Sequence, residues 1–278
     1  MLQIEGDGRI MLPRGAPGSE VEFVFRGGVI ADEVGMGKTA QLISLFLASP
    51  GTAGQPKNLV VTPGHLCGQW ANEIRKFAPS LRVASIEAAV ALGPNARSKV
   101  EAGSMSHDVV ITSLEVILGA SEAQAALFGL SWRRIVYDEC HEVIALSDPQ
   151  RQSMLENLAR RSRNVWCVSG TPFPHHDASM YGIHQLLGVK YKMHIVDSPF
   201  ARNKPLSEAH PFQMIKRRFY LKNTPASVGA EWEKIGGKFK FRVRTTTLDM
   251  TLTERGFYDE QYRKLRGKNG YGPMFIPL

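Results

Sequence analysis

The chain has 278 residues, 43% of them hydrophobic and 22% charged, and a formal net charge of +8. That length and apolar content allow one substantial core in one or two domains. No apolar run approaches the roughly 18 residues of a membrane span, and the first residues, with Glu5 and Asp7, do not read as a secretory signal. Three cysteines, Cys67, Cys140 and Cys167, show no Cys-x-x-Cys spacing, which points to a reducing, intracellular setting without a structural zinc site.

Gly28-Val29-Ile30-Ala31 is an apolar run of buried-strand type, and Leu42, Ile43, Leu45, Phe46 and Leu47 fill a helix that stops at Ser49-Pro50-Gly51. Between them lie Asp32, Glu33, Val34, Gly35, Met36, Gly37, Lys38 and Thr39, a strand-to-helix loop with the make-up of a nucleoside triphosphate site. Gly35 and Gly37 let the backbone turn its N–H groups toward phosphate oxygens, and the first turn of the helix adds its own unpaired N–H groups. Lys38 reaches the β- and γ-phosphates in this reading, and the Thr39 hydroxyl holds Mg2+. Asp32 stands where the general phosphate-loop pattern has a glycine.

Arg133-Arg134-Ile135-Val136-Tyr137 reads as a strand that ends in Asp138 and Glu139, about a hundred positions later. Phosphoryl transfer to water needs one carboxylate near the metal and another group to orient the water. Asp138 is assigned to the metal's water shell and Glu139 to the attacking water. Strand-like runs at 28–31, 58–62, 81–86, 108–113, 133–137 and 164–168 alternate with helical patterns such as Leu66, Trp70, Ile74 and Phe77. The alternation marks a doubly wound α/β layer with its ligand at the carboxyl ends of the strands, where Lys38, Asp138 and Ser169 all fall. His175, His176, His184 and His194 lack a paired acid or cysteine and do not read as a metal site.

These segments together resemble the first motor lobe of the Swi/Snf-related DNA-dependent ATPases of helicase superfamily two. The run Gly27 to Thr39 is similar to the family's phosphate-loop signature, in which the Asp-Glu pair is usual. Leu59-Val60-Val61-Thr62-Pro63, followed by Gln69-Trp70 and Glu73 to Phe77, resembles the segment that approaches the DNA backbone, and Asp108 to Glu115 resembles the next such segment. Asp138-Glu139-Cys140-His141 stands for the family's Asp-Glu-Ala-His, and Val168-Ser169-Gly170-Thr171-Pro172 is similar to the coupling motif after it. The resemblance implies a RecA-like parallel sheet with helices on both faces, a three-layer phosphate-loop NTPase fold, over residues 27–225. It implies ATP and Mg2+ at the site, phosphate contacts to duplex DNA from Thr62, Pro63, Thr112 and Ser113, and coupling through His141, Ser169, Gly170 and Thr171. A nuclear location and chromatin or repair partners follow from the same resemblance.

Two features depart from the family pattern. Phe173-Pro174-His175 replaces the usual apolar residue, Gln and Asn, and no adenine-reading glutamine segment is visible in residues 1–26. Leu12 to Phe25 instead resembles an insertion of the repair-linked subgroup, and the chain is expected to divide into an extension or insertion at 1–26, the lobe at 27–225 and a basic C-terminal extension at 226–278. Residues 1–189 hold 16 basic and 18 acidic residues, whereas residues 190–278 hold 18 and 8. The stretch with Lys216-Arg217-Arg218, Lys222, Lys238, Lys240, Arg242 and Arg244 suits a nucleic-acid backbone, and equally an acidic partner domain or solvent. Arg217-Arg218 is read as part of a closing strand, and Met250 to Tyr258 as the lead-in to a connector between lobes. Nothing after Leu265 resembles a second lobe. The expectation is therefore a half-motor that needs a second RecA-like lobe in cis or trans for turnover along DNA. The alternative is an incomplete motor lobe kept as a protein- or DNA-binding module, and Thr62-Pro63 and Ser169 to Pro172 disfavour a phosphate-loop kinase or GTPase.

Overall fold

A computed structural model describes residues 1–13, 20–52, 57–86, 95–144, 148–171, 177–189, 211–224 and 249–268, with Ser227 and Thr246. The chain divides into two compact units, Met1–Gly229 and Ala230–Leu278. Residues 1–26 thus lie in the same unit as the lobe read from the sequence.

The first unit is built on a parallel seven-stranded sheet. Its strands are β3 (Gly27–Ile30), β4 (Asn58–Thr62), β5 (Val83–Ile86), β6 (Val109–Ser113), β7 (Trp132–Tyr137), β8 (Ser162–Val168) and β9 (Tyr220–Leu221), in the spatial order β5-β6-β4-β7-β8-β3-β9. A separate antiparallel pair, β1 (Arg9–Pro13) and β2 (Glu20–Val24), precedes them. The central strands are apolar on both sides because both faces are covered. Alternate residues separate cleanly: Leu59, Val61, Ile135, Tyr137, Val165 and Cys167 join one core, and Val60, Val136, Trp166 and Val168 join the other.

Helices α2 (Lys38–Ala48) and α3 (Cys67–Phe77) cover the second face through Leu42, Phe46, Trp70 and Ile74. The first face is covered by helices that include Ala96–Ser106, Glu122–Gly129 and Pro149–Ala159, through Val100, Leu127 and Leu155. This is the three-layer α/β architecture expected from the alternating pattern. At Gly27, φ is +147° and a Cβ would stand 1.8 Å from the Val165 carbonyl oxygen, so β3 packs against β8 at a distance that only glycine permits.

One edge needs correction. Arg217 and Arg218 lie on the helix Pro211–Phe219, and the closing strand is Tyr220–Leu221. The helical 3.6-residue spacing of Met214, Ile215 and Phe219 decides this, because it turns Lys216, Arg217 and Arg218 outward while Ile215 and Phe219 are buried.

The amino-terminal helix α1 (Leu2–Gly6) is too short to persist alone and is held by a buried ion pair. Glu5 accepts from Arg134 Nε at 2.6 Å and Nη2 at 2.7 Å, and from Trp166 Nε1 at 3.0 Å. Arg134 also donates from Nη1 to the Ser49 carbonyl at 2.9 Å. The guanidinium is fully buried, so every one of these acceptors replaces water.

In the second unit, the residues from Leu252 to Lys268 form a helix opened by a capping box. Thr251 N donates to Glu254 Oε2 at 2.9 Å and Glu254 N donates to Thr251 Oγ1 at 3.3 Å. The family-like run from Met250 to Tyr258 falls on this helical start. Lys238, Lys240, Arg242 and Arg244 lie outside the described residues. Among the described residues, no helix is long and apolar enough to cross a membrane.

Candidate active site

The loop between β3 and α2 is anchored by the residue that departs from the general pattern. Asp32 is fully buried; Oδ2 accepts from Gln41 Nε2 at 2.6 Å and Oδ1 from the Asn223 backbone N–H at 2.6 Å. Its carboxylate ties the loop to α2 and to the segment after β9, and its backbone carbonyl, with that of Glu33, accepts Lys38 Nζ at 3.1 and 3.2 Å. Gly35 and Gly37 have φ of +84° and +76°, and a Cβ on Gly35 would touch nothing within 4 Å. Backbone conformation rather than space therefore requires glycine at Gly35. Val34 stands 88% exposed at the tip.

Opposite the loop, Asp138 and Glu139 follow the carboxyl end of β7. Asp138 Oδ2 accepts from Trp70 Nε1 at 2.6 Å and from Thr62 Oγ1 at 3.1 Å. Glu139 has φ of +46°, a left-handed conformation that costs a non-glycine residue about 1–3 kcal/mol. Burial, and then the neighbouring charge of Asp138, raises the Glu139 carboxyl above the ordinary glutamate range. His141 Nδ1 lies 3.1 Å from Glu139 Oε2 and 2.7 Å from Ser169 Oγ, and Ser169 Oγ accepts from the Thr171 N–H at 3.0 Å. Gly170 rests against the phosphate loop, where an added Cβ would lie 3.4 Å from Val34 and 3.7 Å from Lys38 Nζ.

The two halves share one cavity of about 460 Å³. Gly35, Gly37, Lys38, Thr39 and Ala40 line it with Asp138 and Glu139, and Leu66, Gln69, Trp70, Glu73 and Phe77 complete the wall. The donor set suits a magnesium nucleotide. Two left-handed glycines and the N-terminus of an 11-residue helix offer N–H groups, and Lys38 supplies the cation. Thr39 and Asp138 supply the hard oxygens that Mg2+ prefers.

The carboxyl ends of β4 and β6 stand outside this cavity's lining. Thr62 and Thr112 are 1% and 0% exposed, Ser113 is 7% exposed, and Pro63 is buried. Their hydroxyls are already used: Thr62 on Asp138, Thr112 on the Ile86 carbonyl at 3.4 Å, and Ser113 as the cap accepting from Val116 N. In this lobe these hydroxyls are therefore interior groups bonded within the fold. The exposed neighbours are Gly64 and His65. Of the four histidines, His184 is buried against Tyr220, while His175, His176 and His194 lie outside the described residues, as do Pro172, Phe173 and Pro174. Among the described residues, no group of three or more His, Cys, Asp or Glu side chains gathers as metal ligands.

Cys140 and Cys167 are both fully buried, and the Cys140 thiol is held above its ordinary range by its contact with Cys167 and by burial. Sequence reasoning missed the roles of Gln41, Asn223 and Trp70. The indole is read from sequence as an apolar member of a helical stripe and as part of a DNA-approaching segment, not as a partner of Asp138, and nothing local to Asn223 marks it as a partner for a residue 191 positions away.

The parallel sheet and the loop between β3 and α2 at the carboxyl ends of its strands define a RecA-like α/β lobe of the phosphate-loop class. The chain belongs to the SNF2-related domain family, whose model matches residues 19–227. It is 26% identical over 270 residues to the DNA repair protein rad8 of Schizosaccharomyces pombe, covering 87% of this chain and 23% of that protein. It is 36% identical over 152 residues to the ISWI chromatin-remodeling complex ATPase CHR11 of Arabidopsis thaliana, covering 52% of this chain and 13% of that protein. The chain thus spans a quarter or less of these two relatives. The fold is shared with the Sulfolobus solfataricus SWI2/SNF2 ATPase core in complex with dsDNA, with a TM-score of 0.59 and 23% identity over 74% of this chain and 42% of that one.

Proposed function

We propose that this chain is the ATP-binding first lobe of a DNA-dependent ATPase that translocates on duplex DNA, with hydrolysis completed by a second RecA-like lobe in cis or trans. The observation that carries the reading is the shared cavity: Lys38 and Thr39 face Asp138 and Glu139 across a space lined by both segments. Lys38 has a third N–H beyond the two used on loop carbonyls and neutralises charge on the β- and γ-phosphates. Thr39 would hold Mg2+ and Asp138 its water shell, and the ion would neutralise phosphate charge. Glu139, with its carboxylate toward the same cavity, orients the attacking water and accepts its proton.

Ser169 and His141 join Glu139 to the loop after β8, which carries Gly170 beside Lys38. That chain of contacts supports a role in sensing the state of the nucleotide. An arginine supplied from a second lobe is worth about 10³- to 10⁵-fold in rate, so the lobe by itself binds ATP far better than it hydrolyses it. Remodelling and repair are the activities named for the relatives above, and either one, with a nuclear location, extends this reading.

The test is the ATPase rate with and without duplex DNA beside Glu139→Gln, with nucleotide binding followed in the same samples. Nucleotide binding with slow turnover in the isolated chain, and DNA-stimulated turnover abolished by Glu139→Gln once a second lobe is present, is the expected result. Failure of the wild-type chain to bind ATP with Mg2+ overturns the reading.

A further inference from the structure

Trp70 lies in the segment that resembles a DNA-approaching motif, yet its indole is 2% exposed and its N–H points at the acid pair. Thr62 ends β4 and Trp70 lies one turn into α3, so these two donors enter from opposite sides of the turn at 63–66. They converge on the same atom, Asp138 Oδ2, at 3.1 and 2.6 Å. Two donors on one oxygen restrain rotation of the carboxylate about its Cβ–Cγ bond, and neither of them occupies Oδ1. An indole N–H at 2.6 Å from a carboxylate is short and charge-assisted, the stronger kind of hydrogen bond. The rest of the Trp70 ring packs in the core beneath the sheet, and that packing makes the direction of the N–H rigid.

We propose that Trp70 and Thr62 are positioning residues for the Mg2+ site: by holding Asp138 Oδ2 they fix the carboxylate that would serve the metal in this cavity. The assignment rests on the reading of the cavity as a MgATP site. Outer groups of this kind act by orienting a ligand and raising its preorganisation, and their loss costs a metal site about 10- to 100-fold in affinity. Packing alone cannot account for the arrangement, because a phenylalanine would fill the core without presenting a donor.

The experiment follows the anisotropy of a fluorescent ribose-labelled ATP on the full chain, first in EDTA and then with rising Mg2+. Trp70→Phe and Thr62→Val each remove a donor, the second with almost no change of volume, and Thr62→Ser keeps the hydroxyl. The expected result has three parts. Each variant's affinity in EDTA is its own reference; against it the half-saturating Mg2+ rises about tenfold in Trp70→Phe and by less in Thr62→Val; and Thr62→Ser keeps the wild-type requirement. An unchanged Mg2+ requirement in both Trp70→Phe and Thr62→Val overturns the positioning role and leaves the nucleotide site standing. Equal losses with and without Mg2+ also overturn it, because they report general damage to the site. If the wild-type chain binds no labelled ATP at any Mg2+ concentration, the nucleotide reading fails and this assignment falls with it.

Discussion

His141 Nδ1 and Ser169 Oγ stand 2.7 Å apart, joining the turn that follows β7 to the loop that follows β8. The Ser169 hydroxyl is fully buried and also receives the Thr171 N–H, so one oxygen organises both segments. Ser169→Ala breaks this link while leaving Lys38 and Thr39 in place. It should leave the Kd for ATP within about twofold of wild type and lower DNA-stimulated turnover in the two-lobe enzyme about tenfold, the worth of roughly one hydrogen bond. Paired binding and turnover assays decide it, and a parallel fall in both would assign Ser169 to binding instead.

Variants of Lys38 and Glu139 should separate nucleotide binding from turnover. Lys38→Ala removes a cation from the phosphate cradle and should weaken ATP binding about 10- to 100-fold, as expected for charge-assisted hydrogen bonds. Glu139→Gln keeps the size of the side chain and should bind ATP at least as well as wild type, while losing about 100-fold or more in turnover. Isothermal titration beside a phosphate-release assay on the two-lobe enzyme reads both effects.

The buried pair Glu5 and Arg134 makes the first six residues a structural part of the lobe. Glu5→Ala leaves a guanidinium with no solvent exposure short of its carboxylate, a change that costs about 3–5 kcal/mol. Chemical denaturation should show that loss, and a truncation that removes α1 should match it. A loss under about 1 kcal/mol would mean that water or Asn58 takes over the charge.

His184 gives the lobe a dependence on acid. The ring is buried beside Phe25 and Tyr220, and burial lowers its pKa to about 3. Because the folded value lies below the unfolded one of about 6.5, the unfolded chain binds the extra proton. The stability associated with neutral His184 is complete above the unfolded pKa and drains away as pH falls from there toward 3, by at most about 1.4 kcal/mol per pH unit. Melting temperature measured from pH 7 to 5 should fall, and less steeply in His184→Gln; identical slopes would show that other groups dominate.

Sequence by itself determined the phosphate loop, the acid pair and the parallel, doubly wound character of the sheet. Those features are written in local patterns: left-handed glycines before a helix, two carboxylates at a strand's end, and apolar runs of strand length. Only the tertiary structure decided how the side chains are used. Asp32 turned out to be an anchor for Asn223, Trp70 a partner of Asp138, and Thr62, Thr112 and Ser113 interior groups of the lobe. Likewise β9 is two residues long, and its place at the sheet edge depends on pairing with Val29 and Ile30 rather than on any pattern of its own. Periodicity reports which face of an element is apolar, but a hydrogen bond between residues 68 or 191 positions apart exists only once the sheet brings their strands and loops together.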